Sequence, residues 1–292
     1  MRRFGRSDHF SGWALVSPAA ILIGIFGLLP VLMSLQLSFQ KSDLLSAETP
    51  WVGFDNYKKL ADDPVFLESV KHTIVYTALF VPGTMLIGLF IATALNRSVR
   101  FISVYRTAAY ITMAVSTISQ GIIFLWLTDR DYGLVNAALN AVGAPSQPFL
   151  ASPSQALYVI VAMTIWGWTG FSVIVYLAAL QGVPPELHEA AAIDGASAFT
   201  RFRTITVPLL APANLFLVVW LTINALQLFD EVYVTTRGGP LRATTVIVYY
   251  LWNRAFVQFD AGYAAAMAYA LFVVILIVTA VQFRLARRHV HS

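Results

Sequence analysis

The sequence predicts an all-α membrane protein of six transmembrane helices, and three observations carry that prediction. Of 292 residues, 58% are hydrophobic and 12% charged, with mean hydropathy +0.70. A soluble domain is nearer a quarter charged, and a chain of this length has no core large enough to hide so much apolar surface. Six segments, 13–39, 73–95, 107–127, 157–180, 208–228 and 264–283, carry no charge, and each supplies the roughly 20 apolar residues needed to cross a bilayer. None alternates in polarity as a barrel strand of about half that length does, and a helix satisfies every amide internally in hydrocarbon. The whole of 1–292 is read as one transmembrane domain.

Composition excludes several classes. There is no cysteine, so disulfides and thiolate metal sites are ruled out. The net charge is +4 and the arginines are dispersed over loop ends, which does not make the clustered basic face of a nucleic-acid binder. The opening MRRFGRSDHF leads into an apolar run too long for a signal peptide, with no small-residue cleavage site, and is read as a retained first span. Six spans put both termini on one side. Placing them in the cytoplasm gathers Arg2, Arg3, Arg6, Arg97, Arg100, Arg106, Arg201, Arg203, Arg284, Arg287 and Arg288 there, 11 of the 19 basic residues. The short loop 96–106 alone carries three of them, as the positive-inside rule expects.

In order along the chain, Pro18 and Pro30 sit in the first span and Pro82-Gly83 in the second, read as simple kinks. The first loop holds Trp51, Gly53, Phe54 and Tyr57, then an amphipathic pattern: Tyr57, Leu60, Val65, Phe66 and Val70 are apolar, and Lys58, Lys59, Asp62, Asp63 and Glu68 polar. It reads as an interfacial helix or a cap packed on the spans. Span three carries Ser116, Thr117, Ser119 and Gln120, small or polar residues that favour helix packing, with pore lining the alternative. The loop 128–154 predicts a short helix after Gly133.

Span four contains Trp166, Gly167, Trp168, Thr169, Gly170 and Phe171. Flat aromatic faces suit sugar rings; the competing reading is a Trp seated in a glycine notch. Span five carries Asn224 and Gln227, with Asp230 and Glu231 at its end; Asn224, Gln227 and Glu231 share an i, i+3, i+7 face. Polar residues in hydrocarbon face a bundle interior or a water-filled cavity, and amides offer both donor and acceptor to a hydroxyl-rich ligand or to a neighbouring helix. The turn at Gly238-Gly239-Pro240 precedes 244–252, apolar but too short to span, hence re-entrant or interfacial.

Between spans four and five lies the most ordered polar stretch, 181–207. Pro184 and Pro185 suit a first helical turn, Glu186 and Glu189 favour its dipole, Ala190 to Ala192 make a slender helix, and Asp194-Gly195 ends it. A second helical piece runs from Ser197 to Thr204, and Pro208 is expected to open span five. The product is a compact knob whose alanine side fits a partner's groove.

These residues carry a resemblance. Glu189-Ala190-Ala191, Gly195 after three more, Ile205 after nine more, then Val207-Pro208 resemble the EAA motif of permease subunits of binding-protein-dependent ABC importers, with Val207 where Leu is commoner. WVGFDNYKKL, TTRGGPLRATTVIVYYLWNRAF and GYAAAMAYA resemble the maltose-type carbohydrate branch. The resemblance implies a type I importer-permease fold in a bacterial inner membrane. It also implies a second permease subunit forming a heterodimer, two ATPase subunits holding ATP and Mg²⁺, and an extracytoplasmic solute-binding protein. It makes the knob a cytoplasmic coupling helix, with Glu189, Ala190, Ala191, Asp194, Gly195 and Pro208 as ATPase-coupling residues. By position it puts a substrate pathway near Trp166, Trp168, Phe171, Asn224 and Gln227.

No cofactor is expected in the chain itself: no GxxxxGK[ST] stretch occurs, so nucleotide hydrolysis falls to a partner. An ion-coupled secondary transporter would show charged residues mid-span and inverted repeats, and neither is present. An intramembrane enzyme would need a nucleophile with its base or a metal cluster, and His9, His72, His188, His289 and His291 fall in loops or tails without ligand spacing. The expected cargo is a sugar. Glycerol 3-phosphate or a glycerophosphodiester is the alternative, disfavoured because no basic residue lies inside the spans.

Overall fold

The structure, a computed structural model, describes residues 15–43, 48–96 and 100–290, with side chains as far as residue 286. The residues at 2, 3, 6, 9, 13, 97 and 291 that entered the sequence reading lie outside the described residues, as do the side chains at 287–289. Among the described residues there is no strand, only isolated bridges between Gln40 and Trp51 and between Asp43 and Asp260.

The helices are α1 (Leu15–Ser38), α2 (Asp55–Asp62), α3 (Pro64–Leu95), α4 (Ile102–Ala114), α5 (Thr117–Leu127), α6 (Leu134–Ala141) and α7 (Ala156–Gln181). After them come α8 (Pro185–Ile193), α9 (Ala198–Leu209), α10 (Ala211–Leu226), α11 (Asp230–Thr235), α12 (Ile247–Trp252) and α13 (Ala261–Val290). Four helices are long and apolar enough to cross a membrane, namely α1, α3, α7 and α13 over Ala261–Ala286. Counting the bent pairs α4/α5 and α9/α10 as one span each makes six.

Five expectations need correction. The second span starts at Pro64, nine residues before 73. The amphipathic pattern is split, with α2 ending at Asp62 and Val65, Phe66 and Val70 already belonging to the 32-residue α3, which also holds His72 and runs through Pro82 without ending. Proline suits the first turn of a helix and restricts the residue before it, which sets that break at Asp63-Pro64. The third span is not continuous: α4 and α5 meet at a 99° bend. Val115 is extended there, and the Ser116 hydroxyl accepts the Ser119 amide as an N-cap. The fifth span bends by 65°, and Pro208 lies in the last turn of α9, while Pro212 opens α10. Finally, α10 ends at Leu226, so Glu231 stands on a separate helix and the i+7 spacing does not connect it to Asn224.

The chain forms two compact units. In the unit made of residues 1–63 and 251–270, the Asn56 amide donates to the carbonyls of Ser38 (2.9 Å) and Gln40 (3.0 Å). Asp63, nearly buried, accepts from the Tyr263 hydroxyl at 2.8 Å and pairs with Arg254 at 3.4 Å, so its desolvated charge has both a donor and a cation.

The unit made of 64–250 and 271–292 is built on α3, α7 and α10. Tyr76, Phe80, Ile160, Met163, Val173, Leu217 and Leu221 form its buried core. In lipid, apolar area alone does not drive helices together, so small residues at crossings set how close backbones come. A Cβ on Gly88 would lie 2.6 Å from that of Ser172, and one on Gly170 would lie 2.8 Å from the Ala109 carbonyl. Polar links add direction: Tyr176 donates to Asn214 (2.8 Å) between α7 and α10, and Gln282 to Thr222 (3.0 Å) between α13 and α10.

Candidate functional site

Two features of the second unit stand out, an exposed knob and a polar cavity. The knob begins at Pro184, extended, with Pro185 as the first residue of α8, where a missing amide costs nothing. It ends in a reversal set by Gly195 at φ +79°, a left-handed backbone that costs a side-chain-bearing residue about 1 kcal/mol or more. The amides of Gly195 and Ala196 return to the carbonyls of Ala192 (3.1 Å) and Ala191 (2.9 Å), closing the helix end. Ser197 then caps α9 by accepting the Thr200 amide at 3.2 Å. Arg201 on α9 reaches back and donates to the His188 carbonyl at 3.3 Å, tying the two helices of the knob. No residue of α8 is buried, and Leu187, Ile193 (87% exposed) and Phe199 (73%) present apolar surface outward. Glu189, Ala190, Asp194, Gly195 and Pro208 are exposed on this knob and Ala191 is half-buried.

The cavity encloses about 250 Å³. Its walls are Tyr76 and Phe80 from α3, Thr117 from α5, Trp168 from α7, and Asn224 and Gln227 at the end of α10. Leu228 and Phe229, then Asp230 and Glu231 of α11, complete it. The Trp168 ring stands edge-on to Phe80 (6.4 Å) and Phe171 (5.8 Å), which fixes its orientation. Asn224 donates one amide hydrogen to the Trp220 carbonyl at 2.8 Å. Glu231 is half-buried, beyond the segments long enough to cross a membrane, and desolvation pushes its carboxyl up to about 7, aided by the nearby Asp230 charge. The described lining holds no Lys, Arg or His, so the cavity combines aromatic faces, amides and two carboxyls.

Of the pathway residues read from the sequence, the structure brings Trp168, Asn224 and Gln227 to this cavity. It does not bring Trp166, which is 37% exposed and leans on Phe124 of α5 (5.9 Å), or Phe171, which packs against Phe216 and Trp220 (both 6.2 Å). The glycines beside the tryptophans are notches, as one reading held, but they are filled by Gln120 at Gly167 and by Ala109 at Gly170 instead of by a Trp. Thr117 takes the pore-lining alternative to helix packing, while Tyr76 and Phe80 were not anticipated as lining. Tyr76 and Phe80 are apolar residues four apart in a helix hydrophobic on all sides, and nothing in the sequence marks which face meets a cavity. Among the described residues no group of three or more His, Asp or Glu could hold a metal ion.

Comparison with known proteins fits this architecture. Residues 84–291 match the family described as binding-protein-dependent transport system inner membrane component. The sulfoquinovosyl glycerol transport system permease protein SmoG of Agrobacterium fabrum (strain C58 / ATCC 33970) is 36% identical over 96% of this chain and 91% of its own length. The sn-glycerol-3-phosphate transport system permease protein UgpA of the same organism is 34% identical over 96% and 95%. Among solved structures, a bacterial ABC transporter involved in the import of the acidic polysaccharide alginate superposes with a TM-score of 0.85 at 24% identity, covering 96% of each chain, and shows the shared type I permease fold. The chain belongs to the family of inner-membrane permease components of binding-protein-dependent transport systems.

Proposed function

We propose that this permease subunit carries a neutral sugar through the cavity of Trp168, Asn224 and Gln227, powered by ATPase subunits seated on the knob. The single observation that carries the reading is the cavity's composition: indole and phenyl faces for the C–H face of a sugar ring, amides for its hydroxyls, and carboxyls with no cation. A phosphodiester calls for a basic partner. A third relative, the lactose transport system permease protein LacF of Rhizobium radiobacter, is 35% identical and named for a neutral sugar, whereas the sulfoquinovosyl glycerol of SmoG carries a sulfonate and UgpA is named for glycerol 3-phosphate. Relatives of nearly equal identity are thus named for neutral and for anionic cargo, and Asp230 and Glu231, with no cation in the described lining, favour the neutral sugar.

In this reading the chain pairs with a second permease subunit, and two ATPases hold ATP and Mg²⁺ beneath the pair. A solute-binding protein delivers the sugar from the other side. The termini and the knob face the cytoplasm, supported by Arg100 and Arg106 near one end of α4 and Arg201 and Arg203 beside the knob. Leu187, Ile193 and Phe199 are the apolar contacts for the ATPase cleft, with Glu189 and Gly195 central to its shape. The solute shifts the conformational equilibrium only through its differential affinity for the inward- and outward-open states.

The test is ATPase stimulation of the purified importer with its binding protein across a panel of sugars and glycerophosphodiesters. Stimulation by one or more sugars is expected; stimulation by phosphodiesters alone overturns the cargo assignment.

A further inference from the structure

We propose that Gln120 is a positioning residue that pins the break between α4 and α5 and so sets Thr117 in the wall of the cavity. This rests on the reading of that cavity as the solute pathway. The bend is 99°, and it strips the last turn of α4 of its hydrogen-bonding continuation. Unpaired carbonyls are costly away from water. The Gln120 side chain, 7% exposed, turns back and donates from Nε2 to the Val115 carbonyl at 2.8 Å, clamping the corner from inside.

The amide is held by its neighbours. Its Oε1 lies so close to Gly167 that a methyl group there would collide with it, so the bare glycine is the recess that receives the side chain. One residue further on, a Cβ on Gly121 would lie 2.8 Å from Cγ1 of Val234, which brings α5 against α11, the helix that carries Asp230 and Glu231. The corner, the recess and this crossing together leave Thr117, the first residue of α5, on the cavity wall. Gln120 does not line the cavity itself; it acts through Thr117.

The chain contains no cysteine, so a single introduced thiol is the only one on this subunit, and its labelling is read on this subunit after the importer's subunits are separated by electrophoresis. The experiment uses the complete importer purified in detergent, where a charged methanethiosulfonate reaches both faces. Thr117→Cys and Asn224→Cys are each made alone, with Gln120→Met, and with Gly167→Ala. Gln120→Met keeps the side chain's length and removes its donor; Gly167→Ala closes the recess.

Both cysteines are expected to react in the native background. Gln120→Met should slow Thr117→Cys by about fivefold, the factor set by the net contribution of one neutral hydrogen bond, while Asn224→Cys is unchanged. Gly167→Ala should give the same split and serves alone if Gln120→Met does not accumulate in the membrane. An unchanged Thr117→Cys rate, or equal slowing of both cysteines, overturns the positioning role. An unreactive Asn224→Cys in the native background instead removes the cavity reading beneath it.

Discussion

The knob at 185–208 is assembled from residues that neighbour one another in sequence, whereas the cavity draws Tyr76 and Phe80 from α3, Thr117 from α5, Trp168 from α7 and Asn224 from α10. The knob keeps its shape through local devices: a proline entry, a left-handed glycine, a serine cap and the Arg201 strut. The cavity keeps its shape through crossings at Gly88, Gly121, Gly167 and Gly170, where the absence of a side chain on one helix decides what another brings near. On the proposed reading, a lesion in the knob cuts force transmission and leaves recognition intact, and a lesion in the cavity does the reverse.

The harshest test of that separation is Gly195→Pro. Proline is fixed near φ −65°, and position 195 needs +79°. The reversal after α8 cannot form, so α8 and α9 lose their register. Uptake should fall to background while the chain still inserts and pairs with its permease partner, checked by co-purification from membranes. Normal uptake would show that the knob does not carry the drive.

Cavity substitutions come next. Trp168→Ala removes a half-buried aromatic ring of the kind that typically costs about 2 kcal/mol or more at a binding site. Asn224→Ala removes one hydrogen-bonding group, about tenfold in apparent affinity. Both should raise the half-saturating concentration of the best sugar in an uptake assay while ATPase activity without solute is unchanged. A fall in basal ATPase activity with unaltered affinity would merge the two regions that the structure separates.

The difference also explains what could be read without coordinates. The first half of the knob was legible almost to the residue, because Pro185, Gly195 and Ser197 act on their own backbone within a few positions; its far end was not, since α9 runs on through Pro208. The spans were legible as apolar lengths, but not their bends. The 99° corner at Val115-Ser116 contains no proline or glycine, and its brace, Gln120, binds only after the chain has already turned. Asn224, Gln227 and Glu231 were grouped on one continuous helix face. They do share a cavity, but through a helix end at Leu226 and a fresh start at Asp230. Asn136 was legible as part of a short helix but not as a brace. Its buried side chain donates to the carbonyls of Asp129 (3.0 Å) and Gln147 (2.9 Å), pinning the loop on both sides of α6.

A subtler separation concerns Glu231. Its carboxyl is raised from 4.5 to about 7 by burial. A raised folded value means that the neutral form is favoured in the native state. The stability tied to it is fully present below about 4.5 and is lost as pH rises through about 7. The purified importer should therefore lose thermal stability between pH 5 and pH 8, and Glu231→Gln should flatten that slope, as read by its melting temperature across that interval. An identical slope in the variant would mean that the carboxyl is already solvated. Knob variants should leave the slope untouched.

The mildest effect expected is at Trp166, and it bears on the sequence reading most directly. Trp166 and Trp168 lie two apart on α7, so their side chains point about 200° away from one another around the helix. Trp168 enters the cavity, and Trp166 meets Phe124 with over a third of its surface exposed. Trp166→Phe keeps an aromatic against Phe124 and takes nothing from the cavity, so half-saturation should stay within about twofold, the range of a substitution away from a special contact. A shift as large as that of Trp168→Ala would mean that the solute passes along the Trp166 face of α7, and that the route lies on the side the cavity does not occupy.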